Sequence, residues 1–345
     1  MRLTLKSAIA IALAGLAAFG VAGCGSSPGS GSNGGGQNQT SGGATYVYVV
    51  QSPTSGTGEV LRFAAGANGN VSPNATLIAP TGMSISSVAT DASGQVYVAG
   101  YLPTSVIPVI EVYAAGASGT ATPVRTINVP DLYTPTAMTV DSSGLLYTVN
   151  TDDGNLYVYS STANGTATPA RLISGALTQL NLSEGVAVDS SGNIYVASAL
   201  INGSNLTGAI YVFSSTANGN VAPVRTITNA NGVFLGIATD SSGDIYAALD
   251  TISPISAAIV EYAPGANGAA TPTRTISGTA TELTTAGGLE VDGAGDIYVA
   301  NEASTANAEA YSVDEFAASA AGDAAPIASL SSSAWTSAAS SVAIH

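Results

Sequence analysis

One thirteen-residue segment recurs through this chain and constrains its fold more than any other feature. In its clearest copy, residues 185–197 read Gly-Val-Ala-Val-Asp-Ser-Ser-Gly-Asn-Ile-Tyr-Val-Ala. Apolar residues alternate on both sides of the Asp-Ser-Ser-Gly turn, which is the two-residue period of paired strands. An Asp at the start of such a turn accepts backbone N–H bonds, and a Gly at its end adopts positive φ at little cost. The segment therefore predicts a β-hairpin.

The turn recurs at steps of 48 to 52 residues, with its aspartate at Asp91, Asp141, Asp189, Asp240 and Asp292. A third strand follows each hairpin, as in residues 210–213, and a loop of small residues leads to a fourth strand, as in residues 224–227. Four short strands in each repeat of roughly 40–50 residues are typical of a β-propeller blade. The sequence thus predicts an all-β fold of four-stranded blades.

The two ends of the repeat region complement each other. Residues 45–49 read as a second strand without a first strand before it, whereas residues 341–345 read as a first strand with nothing after it. His345 falls in phase with the turn aspartates. The C-terminal strand is therefore predicted to complete a blade whose other strands come from the N-terminal side, which gives a closed ring of six blades. Closure leaves only short sheet edges.

The hairpin phrase resembles the NHL-repeat propellers of exported bacterial proteins. The resemblance rests on residues 186–197, on Ile-Tyr-Val-Phe at 210–213 and on Pro-Val-Arg-Thr-Ile at 223–227, and it extends over about 45–345. It implies the fold but no single activity, because such propellers include binding platforms, scaffolds and some enzymes.

The N-terminus reads as a processing signal. Residues 1–23 combine Arg2 and Lys6 with an apolar stretch that is short for a membrane span. The sequence Val-Ala-Gly-Cys that ends at Cys24 resembles a bacterial lipobox, which implies cleavage before Cys24 and lipidation of this residue. Gly25 after the cysteine implies the outer membrane of a double-membrane bacterium, on either its periplasmic or its outer side.

The next segment predicts a flexible tether. Residues 24–43 contain mostly Gly, Ser, Asn and Gln, a composition typical of disordered linkers. Residues 44–345 would then form the propeller, held in the cell envelope by the lipid anchor alone.

Charge narrows the range of partners. Removal of residues 1–23 leaves five arginines, no lysine and 22 acidic residues, a net charge of −17. This balance opposes binding to nucleic acid. Four of the arginines share one position in a Pro-x-Arg-x-Ile pattern, which predicts that they pack on the outer strands and pair with acids such as Glu111 or Glu261. They are Arg125, Arg171, Arg225 and Arg274.

Few residues suggest catalysis, and we assign no catalytic or metal-binding residue. The only histidine, His345, falls at a turn position of the repeat. The paired aspartates at 240 and 244 and at 292 and 296 lack the ligand order of a calcium loop, so they are predicted to form turns. A calcium-dependent hydrolase of the lactonase type stays open as an alternative, with calcium as its cofactor, because oxygen ligands follow the second strands at Asn150, Asp250, Asn301 and Glu302.

Loop variation identifies one candidate binding face. The connections between second and third strands, such as the predicted loops at 198–208, 250–257 and 301–311, vary strongly in length. The connections between fourth and first strands vary as well, and both kinds lie on the same face of a propeller. Variable connections on one face favour a binding function there. The candidate residues are Tyr101, Asp131, Tyr133, Asp152, Asp153, Glu184, Asp250, Glu282, Glu302 and Trp335. We expect a monomeric binding or scaffolding module for an envelope protein, peptide or glycan, with a purely structural envelope protein as a further alternative.

Overall fold

Six antiparallel sheets follow one another along the chain and close into a ring. The structure is a computed structural model that describes residues 46–52, 56–102, 107–129, 135–202, 205–230, 232–252, 255–305, 308–332, 335 and 341–345. We number the sheets as blades 1 to 6 and count the strands of each blade outward from the axis. First strands of neighbouring blades contact each other all the way round. The predicted six-bladed propeller with four-stranded blades is confirmed.

Blades 1 to 3 contain short strands of three to seven residues. From the axis outward, blade 1 consists of Val342–Ile344, Tyr46–Gln51, Glu59–Ala64 and Ala75–Ile78. Blade 2 consists of Ser84–Thr90, Val96–Tyr101, Pro108–Tyr113 and Arg125–Asn128. Blade 3 consists of Ala137–Val140, Leu146–Val149, Leu156–Tyr159 and Arg171–Ile173.

Blades 4 to 6 have longer second and third strands. Blade 4 consists of Ser183–Val188, Ile194–Asn202, Asn205–Phe213 and Arg225–Asn229. Blade 5 consists of Gly232–Thr239, Ile245–Ile252, Ile255–Tyr262 and Arg274–Ile276. Blade 6 consists of Ala286–Val291, Ile297–Thr305, Ala308–Phe316 and Ala328–Ser331. Two-residue strands at Gly69–Asn70 and Gly165–Thr166 and two 3₁₀ helices at Ala176–Thr178 and Thr279–Thr281 complete the elements. Within the described residues, no helix is long and apolar enough to cross a bilayer.

The ring closes in blade 1 as the sequence predicts. The C-terminal strand pairs antiparallel with Tyr46–Gln51, with Val47 opposite Ile344 and Val49 opposite Val342. The N–H of Tyr46 donates to the carbonyl of His345 at 2.6 Å. Since these hydrogen bonds join the first and last strands of the propeller, blade 1 has the same four-stranded form as the other blades.

The turn aspartates are hydrogen-bond acceptors within their own hairpins. Oδ1 of Asp189 accepts the N–H groups of Ser191 and Asn193, both at 2.9 Å, and Oδ2 accepts the hydroxyl of Tyr195 at 3.0 Å. The same pattern occurs at Asp141. The paired aspartates also form the predicted turns, since Oδ1 of Asp240 accepts the N–H of Asp244 and Oδ1 of Asp292 accepts the N–H of Asp296, both at 2.9 Å.

Outer arginines join each blade to the next. Arg225 lies over the ring of Tyr195 at 5.9 Å, and its guanidinium donates to the Tyr195 hydroxyl and to the carbonyl of Ala266 in the following blade. We call this arrangement the arginine clasp. Arg125 and Arg171 repeat it in full. Arg274 keeps the position over the ring of Tyr246 and the bond to the next blade, and it pairs with Glu261.

Of the two predicted acidic partners of these arginines, one is confirmed and one is wrong. Glu261 forms a salt bridge with Arg274. Glu111 instead accepts a hydrogen bond from Tyr113, and its side chain is buried. Burial raises the pKa of Glu111.

The loops between third and fourth strands also connect each blade to the blade before it. A glycine in each loop forms a parallel bridge with the outermost strand of the preceding blade. We call these contacts glycine latches; the pairs are Leu77 with Gly119, Ile127 with Gly165, Ile173 with Gly219, Ile227 with Gly268, Ile276 with Gly322 and Leu330 with Gly69. The latches cover part of each outer sheet edge, which limits pairing with other chains.

Candidate binding face

The variable connections make one side of the propeller higher than the other. In blades 4, 5 and 6 the second and third strands stay paired far beyond the common hairpin, as far as Asn202 with Asn205, Ile252 with Ile255 and Thr305 with Ala308. In blade 3 the same pair of strands is only four residues long. We call the three extensions, residues 198–202 with 205–209, 249–252 with 255–258 and 301–305 with 308–312, the hairpin wall.

The hairpin wall corrects the predicted loops at 198–208, 250–257 and 301–311. These segments continue the strands, because their backbone groups satisfy one another in regular antiparallel pairs. Their residues do not alternate regularly between apolar and polar, as the run Ala-Leu-Ile at 199–201 shows, so the sequence has no two-residue period there. The face therefore has this wall along blades 4 to 6; in blades 1 to 3 the described strand pairs end earlier, and we call that part of the face the lower half.

Two matching 3₁₀ turns lie in the connections that lead into blades 4 and 6. The hydroxyls of Thr178 and Thr281 bond back to the carbonyls of Gly175 and Gly278, both at 2.7 Å. The residue after each helix has a left-handed backbone, with φ of 61° at Gln179 and 59° at Glu282. Glu282 is exposed. Its side chain therefore points into solvent from a backbone position that the neighbouring structure fixes.

The mouth of the axis opens into a small cavity. Its volume is about 40 Å³, and all six blades contribute to its lining. Because one water needs about 10–15 Å³ on this measure, the cavity has room for a few waters. Two lining residues are acidic, Glu184 and Glu290. Burial raises the pKa of Glu290 from 4.5 to about 8, although channel water still reaches part of its side chain.

Glu184 and Asp250 were predicted on the exposed face, but both are only 5% exposed. The hydroxyl of Thr151 donates to Oε1 of Glu184 at 3.4 Å. Oδ1 of Asp250 accepts the N–H of Ala286, so this carboxylate ties the hairpin wall to the first strand of blade 6. Their contacts stabilise the base of the face.

The connection after the second strand of blade 3 is a tight polar turn. Oδ1 of the buried Asn150 accepts the N–H groups of Asp152 and Asp153, both at 2.9 Å. Asp153 in turn accepts the hydroxyl of Tyr157 at 2.6 Å. Burial and this hydrogen bond raise the pKa of Tyr157. Asp152 is exposed on the lower half of the face.

The predicted aromatic residues differ in their surroundings. Tyr101 is 44% exposed at the end of its strand. Trp335 is half-buried and meets the ring of Phe63 edge-on, with centroids 6.2 Å apart. Asp131 and Tyr133 lie outside the described residues, as do the side chain of Glu302 and residue Cys24.

Three of the four oxygen ligands that left a hydrolase open are engaged in hydrogen bonds within the protein, and the side chain of the fourth, Glu302, lies outside the described residues. Asn301 accepts from the N–H of Thr284 and donates to the carboxylate of Asp314 at 2.8 Å, while Asn150 and Asp250 cap other backbone groups. Within the described part of the chain, no three acidic, histidine or cysteine residues are placed to hold a metal ion.

Sequence reasoning missed Asp314, which is 1% exposed and also accepts the hydroxyl of Ser329. Burial raises its pKa. The signal was present in the sequence as two consecutive acids, Asp314 and Glu315, between the apolar residues Val313 and Phe316 of a third strand.

Comparison with known proteins supports the fold and goes no further. No family model and no curated protein matches this chain. A crystal structure of a protein of unknown function from Bacteroides caccae matches with a TM-score of 0.59 and 11% identity, over 88% of this chain and 99% of that one. The WD40 domain of Toxoplasma gondii coronin matches with a TM-score of 0.50 and 11% identity, over 83% of this chain and 68% of that one. At such identities the likeness shows a shared propeller architecture.

Proposed function

We propose that this protein is a lipid-anchored envelope propeller that binds a protein, peptide or glycan segment on its variable-loop face. The observation that carries the proposal is the hairpin wall, because it gives one half of the face a raised border while the other half stays low. A segment lying on the low half would contact the wall on one side and the channel mouth on the other. Concave sites of this kind are the usual places for ligands.

The available side chains suit such a segment. Tyr101 and Trp335 offer aromatic surface, and the exposed carboxylates of Asp152 and Glu282 offer acceptors for hydroxyl, amide or cationic groups. The acidic balance of the chain disfavours anionic polymers. These groups support a binding role for the face, which is one of the roles that the resemblance to NHL-repeat propellers implies.

Anchoring rests on the sequence. The lipobox ending at Cys24 and the Gly/Ser-rich tether of residues 24–43 support a domain that reaches its partner while held at the outer membrane. Mass spectrometry of the mature N-terminus in a bacterial host tests this part. We expect three acyl chains on Cys24 of the parent. The Cys24→Ser variant should stay uncleaved or be released as a soluble protein. An unmodified mature N-terminus at another residue contradicts the proposed anchoring.

The binding face is tested by comparing two faces of one molecule. Envelope proteins and glycan fragments are captured on the immobilised mature chain and on two variants, Tyr101→Ala with Glu282→Ala on the variable face and Val224→Ala on the opposite rim, where Val224 is 61% exposed. We expect ligands that bind the first variant at least about fivefold more weakly than the parent and bind the second variant as tightly as the parent. Equal retention by both variants contradicts the proposal.

A further inference from the structure

The axial cavity is built from matching positions of the six first strands. Four residues before the turn aspartate, or before His345 in blade 1, each first strand has a small residue that leaves space at the axis. These residues are Ser341, Ser87, Ala137, Gly185, Gly236 and Gly288 in blades 1 to 6. A Cβ added at Gly185 or Gly236 would meet a backbone oxygen of the next first strand at 2.6 or 2.3 Å. The close approach of the strands therefore fixes the walls of the cavity.

Backbone groups of the first strands also face the cavity. The N–H of Asp189 donates across the hairpin to the carbonyl of Asn193 at 3.0 Å, and the matching residue of every other blade does the same. Because hydrogen-bonded and non-hydrogen-bonded pairs alternate along antiparallel strands, the residue three positions earlier directs its N–H and C=O away from the second strand, toward the axis. These residues line the cavity: Val342, Val88, Met138, Val186, Ile237 and Leu289. Rings of backbone carbonyls coordinate cations in proteins.

A buried hydroxyl and two acids complete the lining. Ser87 is 1% exposed, and within the described residues its Oγ has no hydrogen-bond partner. A bound water or ion is a common explanation for a buried polar group of this kind, since leaving it unsatisfied is costly. Glu184 is 5% exposed, and Glu290 occupies a position where four blades have alanine. The lining therefore offers oxygen ligands with negative charge.

The size and charge of the cavity favour a small cation. Its volume of about 40 Å³ has room for an ion with one or two waters. The five described arginines lie over tyrosines of the second strands, so their positive charge lies away from the axis. Calcium takes six to eight oxygen ligands, several of them carboxylates. The two acids of this lining suit a single positive charge better.

We propose that the axial cavity binds one monovalent metal cation, sodium or potassium. The hydroxyl of Ser87, the carboxyl groups of Glu184 and Glu290 and carbonyl oxygens of the first strands supply its ligands. Such an ion stabilises the ring, because its ligands come from several blades that otherwise contact only their neighbours. The inference does not depend on a ligand at the variable-loop face.

The test compares thermal melts of the full chain in detergent in sodium, potassium and tetramethylammonium chloride. The total salt is held at about 150 mM, so that screening is equal. Tetramethylammonium has the same charge but is too large for a cavity of a few waters. We expect the melting midpoint to rise as sodium or potassium replaces it and to level off when one site is filled. The ion that reaches half of this rise at the lower concentration is the preferred ligand.

Two variants locate the site. Glu290→Gln and Ser87→Ala should each raise the cation concentration at half of the rise at least about fivefold; blade 3 already has Ala137 at the position of Ser87. Glu59→Gln is the matched control. It removes the same charge from a half-buried acid in the third strand of blade 1, outside the cavity, and should respond as the parent does.

Crystals in which rubidium replaces potassium show the position of the ion directly. We expect one peak of anomalous scattering in the axial cavity. Equal midpoints of the parent in all three salts, or equal responses of the parent and Glu290→Gln, overturn the proposal. A rise with calcium chloride but not with sodium or potassium overturns the assignment to a monovalent ion. A rubidium map without a peak at the axis overturns the proposal even when a variant does not fold.

Discussion

Glu290 is the residue whose charge the fold opposes most clearly. At its position in the first strand, blades 1, 2, 4 and 5 have the small residues Ala343, Ala89, Ala187 and Ala238. A glutamate there lies beside the channel, enclosed by protein, and no described residue supplies a positive charge to it. The channel thus holds an acid that is mostly protonated at neutral pH.

We predict that Glu290 makes the propeller less stable as the pH rises. Its pKa is about 8 in the folded chain against an ordinary value of 4.5, so between these values the folded state keeps a proton that the unfolded state has lost. Stability then falls from pH 4.5 to pH 8. Glu290→Gln should reduce this fall and should be the more stable protein at pH 9, measured by urea unfolding at pH 5, 7 and 9.

Glu290→Ala is a second variant for the same measurement, since four blades already have alanine at this position. Parallel pH profiles for the parent and both variants would show that this carboxyl does not titrate as described.

Residue type alone did not separate exposed acids from structural ones. The turn aspartates were predictable because their hydrogen bonds are local, from Asp189 to residues two and four positions later. Asp250 was not, because its partner Ala286 is in another blade and the strand around Asp250 continues where the sequence suggested a loop.

At the scale of elements, the blades are joined by contacts that repeat with the sequence but act between repeats. The arginine clasp and the glycine latch both link one blade to the next. Their residues are visible in the sequence as a regular Arg and a regular Gly. Their function is not, because it depends on distances between segments about 40 residues apart.

The clasp should contribute measurably to stability. Arg225→Ala removes the stacking on Tyr195 and the hydrogen bond to the carbonyl of Ala266 at 3.0 Å, so we expect a loss of about 1–2 kcal/mol in the free energy of unfolding. Arg225→Lys keeps the charge but loses the planar contact, and it should recover only part of this loss. Urea unfolding of the three proteins provides the measurement, and a loss near zero would show that the clasp is a surface contact of little weight.

The latch glycines are needed for their backbone and not for space. Gly219 has φ of 72°, and a Cβ added there would meet no atom within 4 Å. Gly219→Ala should therefore cost about 1 kcal/mol through conformation alone. Gly265→Ala is a matched control, because Gly265 is equally open but lacks positive φ; it should be neutral or slightly stabilising. Equal effects in thermal melts would argue against this explanation.

At the scale of the whole molecule, the sequence predicted the ring and missed its asymmetry. Six blades followed from the spacing of Asp91 to Asp292 and from the complementary ends, since closure satisfies an otherwise open edge. The hairpin wall did not follow, because the residues of the strand extensions do not alternate regularly between apolar and polar, and their pairing with each other is seen only in the structure.

Closure should be essential to the fold. Deleting residues 341–345 removes the first strand of blade 1 together with its contacts to Thr90 and Tyr46. We expect the shortened chain to lose its cooperative urea transition or to unfold at a much lower midpoint, because both neighbouring blade interfaces lose core residues such as Val342 and Ala343. A transition equal to that of the parent would show that the ring stands without its closing strand.

The double pairing of Tyr46–Gln51 also determines how the propeller carries a pulling force. This strand is bonded on one side to Glu59–Ala64 and on the other to Val342–Ile344. Tyr46 and His345 hydrogen-bond to each other, so the two ends of the propeller lie side by side, and a pull that separates them opens the bonds between these two strands one after another. A pull on the C-terminus loads the same blade. Blade 1 therefore bears tension from either end of the chain, while the other five blades, and the raised half of the ring with them, stay shielded from it.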